Sequence, residues 1–192
     1  MGRVIAGKKR GLKLATLQGL QTRPSSDRLK EALFNILQDR IYASSFLDLY
    51  AGSGQIGIEA LSREAATVCA VEHNDEACNV IKKNIEKAGF RDRYRLFKMD
   101  ARKALKILSD EELSFDIVFM DPPYAEAERL CSRVFKLLFA GKLLKKNSLI
   151  IVECSSKDGE LLQNRLGELI EGECSVRVSK YGSSTIVIFE LN

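Results

Sequence analysis

Five short apolar runs, near 46–50, 67–72, 94–98, 115–120 and 148–153, are separated by stretches whose apolar residues recur at helical spacing, near 55–63, 75–88, 101–109 and 126–139. Short apolar runs of this kind read as buried strands. Strands that alternate with helices are joined by crossovers, which makes the sheet parallel and covers both its faces with helices. The rhythm breaks at the C-terminus. After an expected helix near 159–169, the segments 175–180 and 185–190 both alternate in polarity around Tyr181-Gly182-Ser183-Ser184. So short a connection forces an antiparallel pair.

A chain of 192 residues fits one main domain and buries roughly 70% of its unfolded surface. Hydrophobic residues make up 45% and charged residues 29%, the balance of a soluble globular protein. The longest apolar stretches, such as Leu149-Ile150-Ile151-Val152, are far too short to span a bilayer. The basic N-terminus has no apolar segment behind it and is not read as a secretory signal. The 5 cysteines are scattered, odd in number and without a Cys-x-x-Cys pair. That pattern argues against a disulfide framework and against a zinc site. With His73 as the single histidine, no metal is expected. A reducing cytoplasm is the expected location.

Charge is unevenly placed. Residues 1–30 carry Arg3, Lys8, Lys9, Arg10, Lys13, Arg23, Arg28 and Lys30 against Asp27 alone, although the whole chain is only +4. The remainder is therefore net acidic, and the N-terminal end is the candidate element for binding a polyanion. Alternation in Arg3-Val4-Ile5-Ala6-Gly7 and Gly11-Leu12-Lys13-Leu14 around a turn-like centre predicts a short hairpin rather than a disordered tail. Behind it, Ser25-Ser26 can cap a helix with apolar positions Leu29, Ala32, Leu33, Ile36 and Leu37. Residues 1–24 are expected to form a basic extension and 25–192 the main domain.

At the end of the run Phe115–Met120 stands Asp121-Pro122-Pro123-Tyr124. Packing does not call for an acid, two prolines and an aromatic at the C-terminal end of a strand. The prolines supply no N–H and hold φ near −65°, so the turn is stiff and its carbonyls are fixed in space. Pro122 precedes a proline and is pushed into an extended conformation. A rigid loop offering a carboxylate, a carbonyl and a flat ring suits a planar amine, such as the exocyclic NH2 of a nucleobase.

Phe46-Leu47-Asp48-Leu49-Tyr50 leads into Ala51-Gly52-Ser53-Gly54-Gln55-Ile56-Gly57 and then a helix. Gly52 and Gly54 allow a sharp turn and close approach of a ligand, and Gly57 lets the helix pack on the strand. The loop residues Tyr50, Gly52, Ser53, Gly54 and Gly57 are therefore candidate cofactor contacts. Glu72 ends the next strand and can accept both hydroxyls of a ribose. These features fit NAD and S-adenosylmethionine equally. Three observations separate them. Asp48 lies inside the first strand, where it can serve a cationic amino-acid group through water or the backbone. Asp100-Ala101 follows the third strand, at the level where an adenine amine needs an acceptor. The proline turn follows the fourth, and a nicotinamide enzyme has no use for it. The expected fold is α/β, a class I S-adenosylmethionine-dependent methyltransferase sheet of Rossmann-like type with a C-terminal antiparallel hairpin, preceded by a small basic β-hairpin.

With these residues in hand, the chain resembles the RsmD family of bacterial 16S ribosomal RNA guanine-N2 methyltransferases. The resemblance runs from end to end. It rests on Arg3-Val4-Ile5-Ala6-Gly7 with Gly11-Leu12-Lys13-Leu14, and on Thr22-Arg23-Pro24-Ser25-Ser26-Asp27-Arg28 leading into Lys30-Glu31-Ala32-Leu33-Phe34-Asn35. It continues through Leu47-Asp48-Leu49-Tyr50-Ala51-Gly52-Ser53-Gly54, Gly57-Ile58-Glu59-Ala60, Val71-Glu72 and the proline turn. The Arg-Pro-x-x-Asp-Arg block is its specific part; Ser25 stands where threonine is common. The resemblance implies S-adenosylmethionine as cofactor and a guanine of 16S ribosomal RNA, in the small subunit or its assembly intermediate, as substrate.

On this reading Asp121, Pro122, Pro123 and Tyr124 form the catalytic turn. A guanine rotated out of its RNA context stacks on Tyr124 and donates from N2 to the Asp121 carboxylate and the Pro122 carbonyl. Arg3, Lys8, Lys9, Arg10, Lys13, Arg23, Arg28 and Lys30 are expected to hold phosphates. Arg23 and Asp27 can equally pair with each other. The run 142–146 reads as a solvated helix end, His73 as exposed, and the cysteines as filler. A monomer without a membrane partner is expected. Three alternatives differ in class: another amino-methyltransferase acting on DNA adenine or protein glutamine, a non-catalytic RNA-binding assembly factor, and a nicotinamide oxidoreductase.

Overall fold

In the computed structural model the described residues are 2–17, 27–170 and 173–192, and the chain divides into two units, one ending at Asp100 and one beginning at Ala101. The expected cap at Ser25-Ser26 lies outside the described residues.

The first unit opens with two-residue strands β1 (Gly2–Arg3) and β2 (Lys13–Leu14), paired antiparallel with Gly2 opposite Leu14. Between them a short 3-10 turn covers Gly7–Lys9. The hairpin predicted from alternation is thus present, with far shorter strands. Helix α1 (Asp27–Ile36) follows, then β3 (Ser45–Leu49), α2 (Gln55–Ser62), β4 (Thr67–Glu72), α3 (Asp75–Ala88) and β5 (Tyr94–Lys98). Strand order is β5-β4-β3, all parallel, with Leu47 opposite Cys69 and Ala70 opposite Leu96.

Helix α3 shows why these boundaries fall where they do. The Asn74 side chain accepts from the Ala77 N–H at 2.9 Å, and Asp75 and Glu76 occupy the first turn, where the helix dipole favours anions. Gly89 ends the helix in the left-handed region, φ 70°. Its buried face is Ala77, Cys78, Ile81, Ile85 and Ala88, with the polar Asn84 among them.

The second unit contains α4 (Ala101–Asp110), β6 (Phe115–Met120), α5 (Ala127–Ala140), β7 (Leu144–Ser155), α6 (Gly159–Gly167), β8 (Cys174–Tyr181) and β9 (Ser184–Leu191). Strand order is β6-β7-β9-β8. β6 runs parallel to β7, with Val118 opposite Ile150, and the pairs β7–β9 and β9–β8 are antiparallel. Tyr181 faces Ser184 across the tight turn that the sequence placed there. Phe135 of α5 meets Phe189 of β9 edge to face, centroids 5.2 Å apart, an arrangement worth about 0.5–1.5 kcal/mol beyond the area buried.

One expectation in this unit is corrected. Only the start of 142–146 is a helix end: the Lys142 and Leu143 N–H groups donate to the Phe139 and Leu138 carbonyls of α5 at 3.1 and 3.0 Å, whereas residues 144–146 begin β7 and Lys145 bonds the Asp116 carboxylate of β6 at 2.8 Å. The lysines mimic a helix terminus because the start of β7 is poorly covered, residues 144–147 all being half-buried or exposed. The expected helix near 126–139 is preceded by a 3-10 turn over Tyr124–Glu126.

Cys69, Cys78, Cys131 and Cys154 are buried, Cys174 is half-buried, and all five are free thiols. Burial pushes the thiols of Cys131 and Cys154 up to about 12. Among the described residues no helix is long and apolar enough to cross a membrane.

Candidate active site

β3 stops at Leu49, one residue short of the expected end, because Tyr50 takes φ 64°. A non-glycine residue held there costs of order 1–3 kcal/mol and persists only when its surroundings impose it. The Ala51 N–H donates to the Val71 carbonyl at 3.0 Å and the Gly54 N–H to the Ala51 carbonyl at 2.8 Å, bracing the loop against the end of β4. Gly52 lies at φ 56°, and a side chain added to it meets nothing within 4 Å. Its backbone faces open space, as close approach of a ligand demands. Gly57 is different: an added Cβ lies 2.8 Å from the Tyr94 ring and 2.9 Å from Val68. There glycine serves the packing of α2 on the strands.

Two acids converge on this loop. The Asp48 carboxylate, 1% exposed, accepts the Gly57 N–H at 3.1 Å in the first turn of α2. Burial pushes this carboxyl up to about 7; the Gly57 hydrogen bond offsets part of that and the neighbouring Glu72 charge adds to it. Glu72 accepts the Gly52 N–H at 2.9 Å on one oxygen and the Asn74 N–H at 2.8 Å on the other. A carboxylate offers about four acceptor sites, so Glu72 shapes the loop and retains capacity for ligand hydroxyls. An open glycine backbone beside the Glu72 carboxylate suits a ligand bearing a ribose. Asp100 is half-buried and closes the first unit, and Ala101 is the first residue of α4.

His73 is 75% exposed with its Nδ1 3.5 Å from Glu72.

In the second unit, β6 delivers Asp121-Pro122-Pro123-Tyr124 to the surface. Both prolines are trans, and Pro123 is extended at φ −53°, ψ 126°. Its carbonyl accepts the Glu126 N–H at 3.0 Å, which closes the 3-10 turn. Pro122 is buried, and no donor among the described residues is recorded on its carbonyl. The Tyr124 hydroxyl lies 3.1 Å from the Ser184 hydroxyl at the start of β9, which steadies the ring. A cavity of about 280 Å3 opens beside Tyr124, lined also by Arg129, Asp158 and Leu161. Neither Asp121 nor Pro122 lines it, so this space does not by itself bring a ring to those two acceptors.

The basic hairpin is anchored by side chains that sequence reasoning missed. Glu59 of α2, fully buried, accepts the Ile5 and Ala6 N–H groups at 2.7 and 3.0 Å and pairs with Arg63 at 2.8 Å. Ser62 accepts the Lys9 N–H and donates to the Ala6 carbonyl. The motif Gly57-Ile58-Glu59-Ala60 carried that signal, since an acid on a buried helix face needs partners.

The expected phosphate contacts divide. Arg10, Lys13 and Arg28 are exposed, their side chains without ion pairs among the described residues. Arg3 pairs with Asp27 at 2.9 Å, Lys8 with Glu64 at 2.8 Å, and Lys9 lies over the Phe90 ring. Arg23 lies outside the described residues. Lys30 is corrected: it is 2% exposed, points inward and donates to the Arg3 carbonyl, so it holds the hairpin and not a phosphate. Burial lowers its ammonium below the usual range, with the Glu59 and Asp27 charges opposing.

Residues 2–190 match the family described as Conserved hypothetical protein 95. The chain is 31% identical over 189 residues to the Putative rRNA methyltransferase YlbH of Bacillus subtilis, covering 98% of each protein. It is 38% identical over 161 residues to the Ribosomal RNA small subunit methyltransferase D of Haemophilus influenzae, covering 83% of this chain and 81% of that protein. Among solved structures, the Putative methyltransferase yhhF from Escherichia coli matches with a TM-score of 0.80 and 28% identity, covering 98% of this chain and 97% of that one. The fold is therefore the class I methyltransferase fold that the strand–helix alternation and terminal hairpin predicted.

Proposed function

The chain belongs to the Conserved hypothetical protein 95 family, and on that premise we propose that it methylates the exocyclic N2 of a guanine in 16S ribosomal RNA. It is an S-adenosylmethionine-dependent ribosomal RNA methyltransferase. On this reading the substrate is the small subunit or its assembly intermediate, and the enzyme acts on it in the cytoplasm as a monomer.

Gly52, Ser53, Gly54 and Glu72 would hold the cofactor, with Asp48 acting through the backbone at Gly57, Asp100 and Ala101 offered to its adenine and Tyr50 fixing the loop. When bound, S-adenosylmethionine supplies a methyl group already activated on a sulfonium, so no metal or covalent nucleophile is required. The work of the protein lies on the acceptor. An aromatic amine is a poor nucleophile because its lone pair is delocalised into the ring. Asp121 and the Pro122 carbonyl accept its two N–H bonds, which draws the nitrogen toward sp3 and aims the lone pair. Two such bonds act kinetically because the proline turn holds the acceptors in advance. Most of the acceleration comes from alignment for in-line transfer: the N–C bond forms as the S–C bond breaks, and the proton that N2 sheds leaves by way of the Asp121 carboxylate. Tyr124, tied to Ser184, gives the base a face to stack on. Arg10, Lys13 and Arg28, free of ion pairs among the described residues, grip the surrounding phosphates, with Arg3, Lys8, Lys9 and Arg23 contributing.

The observation that carries this reading is the stiff Asp121–Tyr124 turn at the end of β6, with its buried Pro122. The test is tritiated methyl transfer to small subunits and to protein-free 16S RNA, followed by nucleoside analysis. Label in N2-methylguanosine supports the reading; label only in methyladenine overturns it.

A further inference from the structure

We infer that Asn84 is a positioning residue that couples cofactor binding to RNA binding. The inference rests on the assignments just proposed for the glycine loop and the basic hairpin. Asn84 sits on the buried face of α3, 1% exposed. Its Oδ1 accepts the Ala15 N–H at 2.8 Å, and its Nδ2 donates to the Ala15 carbonyl at 3.0 Å and the Ser53 carbonyl at 2.9 Å. The orientation of the amide is fixed by its partners, because two carbonyls can face only the NH2 group. Both donors are spent, one on each segment.

Ser53 stands between the two glycines of the cofactor loop, and Ala15 directly follows β2 of the hairpin. A single rigid carboxamide plane therefore sets the position of both. One turn along the same helix, the Lys87 ammonium donates to the Lys13 carbonyl at 2.7 Å and gives α3 a second hold on β2. A ligand that immobilises Ser53 immobilises the carboxamide, and with it the hairpin exit. The phosphate-binding side chains Arg10 and Lys13 then lose less freedom when RNA arrives. Coupling of this kind is an ordering effect. It is reciprocal, so each ligand tightens the other by the same factor.

The test uses the full chain, S-adenosylhomocysteine as the cofactor probe and protein-free 16S RNA as the polyanion, at one fixed salt concentration. Saturating S-adenosylhomocysteine is expected to tighten RNA binding about tenfold, within the usual range of such couplings. RNA is expected to tighten S-adenosylhomocysteine binding equally. Asn84→Asp keeps the size and the Ala15 N–H bond but, protonated in the interior, can donate to only one of the two carbonyls; in it each ligand still binds and the factor falls toward one. Asn84→Ala gives the same loss if it folds. Native protein that binds both ligands independently, or undiminished coupling in Asn84→Asp, overturns the inference alone. Failure of the native chain to bind S-adenosylhomocysteine at all overturns the cofactor assignment and this inference with it.

Discussion

Glu59 receives the backbone N–H of Ile5 at 2.7 Å, which makes a fully buried helix carboxylate the dock for an otherwise basic N-terminal segment. The charge is tolerated in the interior because the Ala6 N–H and the Arg63 guanidinium share it. Glu59→Gln keeps the shape and replaces one acceptor oxygen with a donor. It is expected to lower stability by about 1.5–3 kcal/mol, the worth of hydrogen bonds to a charged group. RNA affinity should fall and S-adenosylmethionine affinity hold. Thermal unfolding together with two binding titrations checks both halves; equal loss of the two affinities contradicts the docking role.

Asp121→Ala removes one of the two acceptors proposed for the amine. Turnover is expected to drop by at least about 100-fold, the scale seen when one preorganised electrostatic contact is lost. Cofactor affinity should be unchanged. Single-turnover methylation beside calorimetry separates the two, and near-normal turnover removes Asp121 from the chemistry.

Asp48 carries a pH dependence of defined sign. Its carboxyl is raised in the folded protein from an ordinary 3.8 to about 7, chiefly by burial. Between those values the folded state binds the proton that the unfolded state releases. The contribution to stability is therefore full below about pH 4 and declines as pH rises to about 7. Asp48→Asn removes this slope, and its advantage over native protein grows from pH 5 to pH 8, by no more than about 3 kcal/mol. Denaturant midpoints across that range are the measurement, and parallel curves for the two proteins refute it.

Arg10, Lys13 and Arg28 are exposed cations of the N-terminal segment. Each contact with a single-stranded RNA phosphate steepens the dependence of log K on log salt by about 0.7. Replacing all three by alanine should flatten that slope by about 2 and spare cofactor binding. An unaltered slope places the RNA elsewhere.

The Tyr94 hydroxyl is buried with no hydrogen-bond partner among the described residues. An unmet polar group of this kind costs about 1–3 kcal/mol, so Tyr94→Phe should stabilise the fold. Gly57→Ala should destabilise it by roughly 1–3 kcal/mol through overpacking against the same ring. Chemical denaturation decides both signs.

Elements with a strong period were legible from the residues alone. β4, β5, β6 and α3 fall where apolar spacing put them, because each has one face or both sealed in the core. What escaped was set by partners remote in sequence. Lys30 looked like a surface cation, yet its neighbour in space is a carbonyl 27 residues away. Residues 144–146 looked like the continuation of a helix end, since nothing local reveals the pairing of Lys145 with Asp116. In the candidate site, the glycine turn and both acids were visible as a pattern. The prior engagement of Glu72 with Gly52 was not, nor the span of Asn84, because a polar residue on an apolar helix face announces burial without naming what it meets.

Sealed cysteines leave the native sequence with a built-in handle. A maleimide dye needs an accessible thiolate, and only Cys174, the first residue of β8, is not buried. Labelling of the folded protein should therefore stop at one dye per chain, with no cysteine to engineer away beforehand.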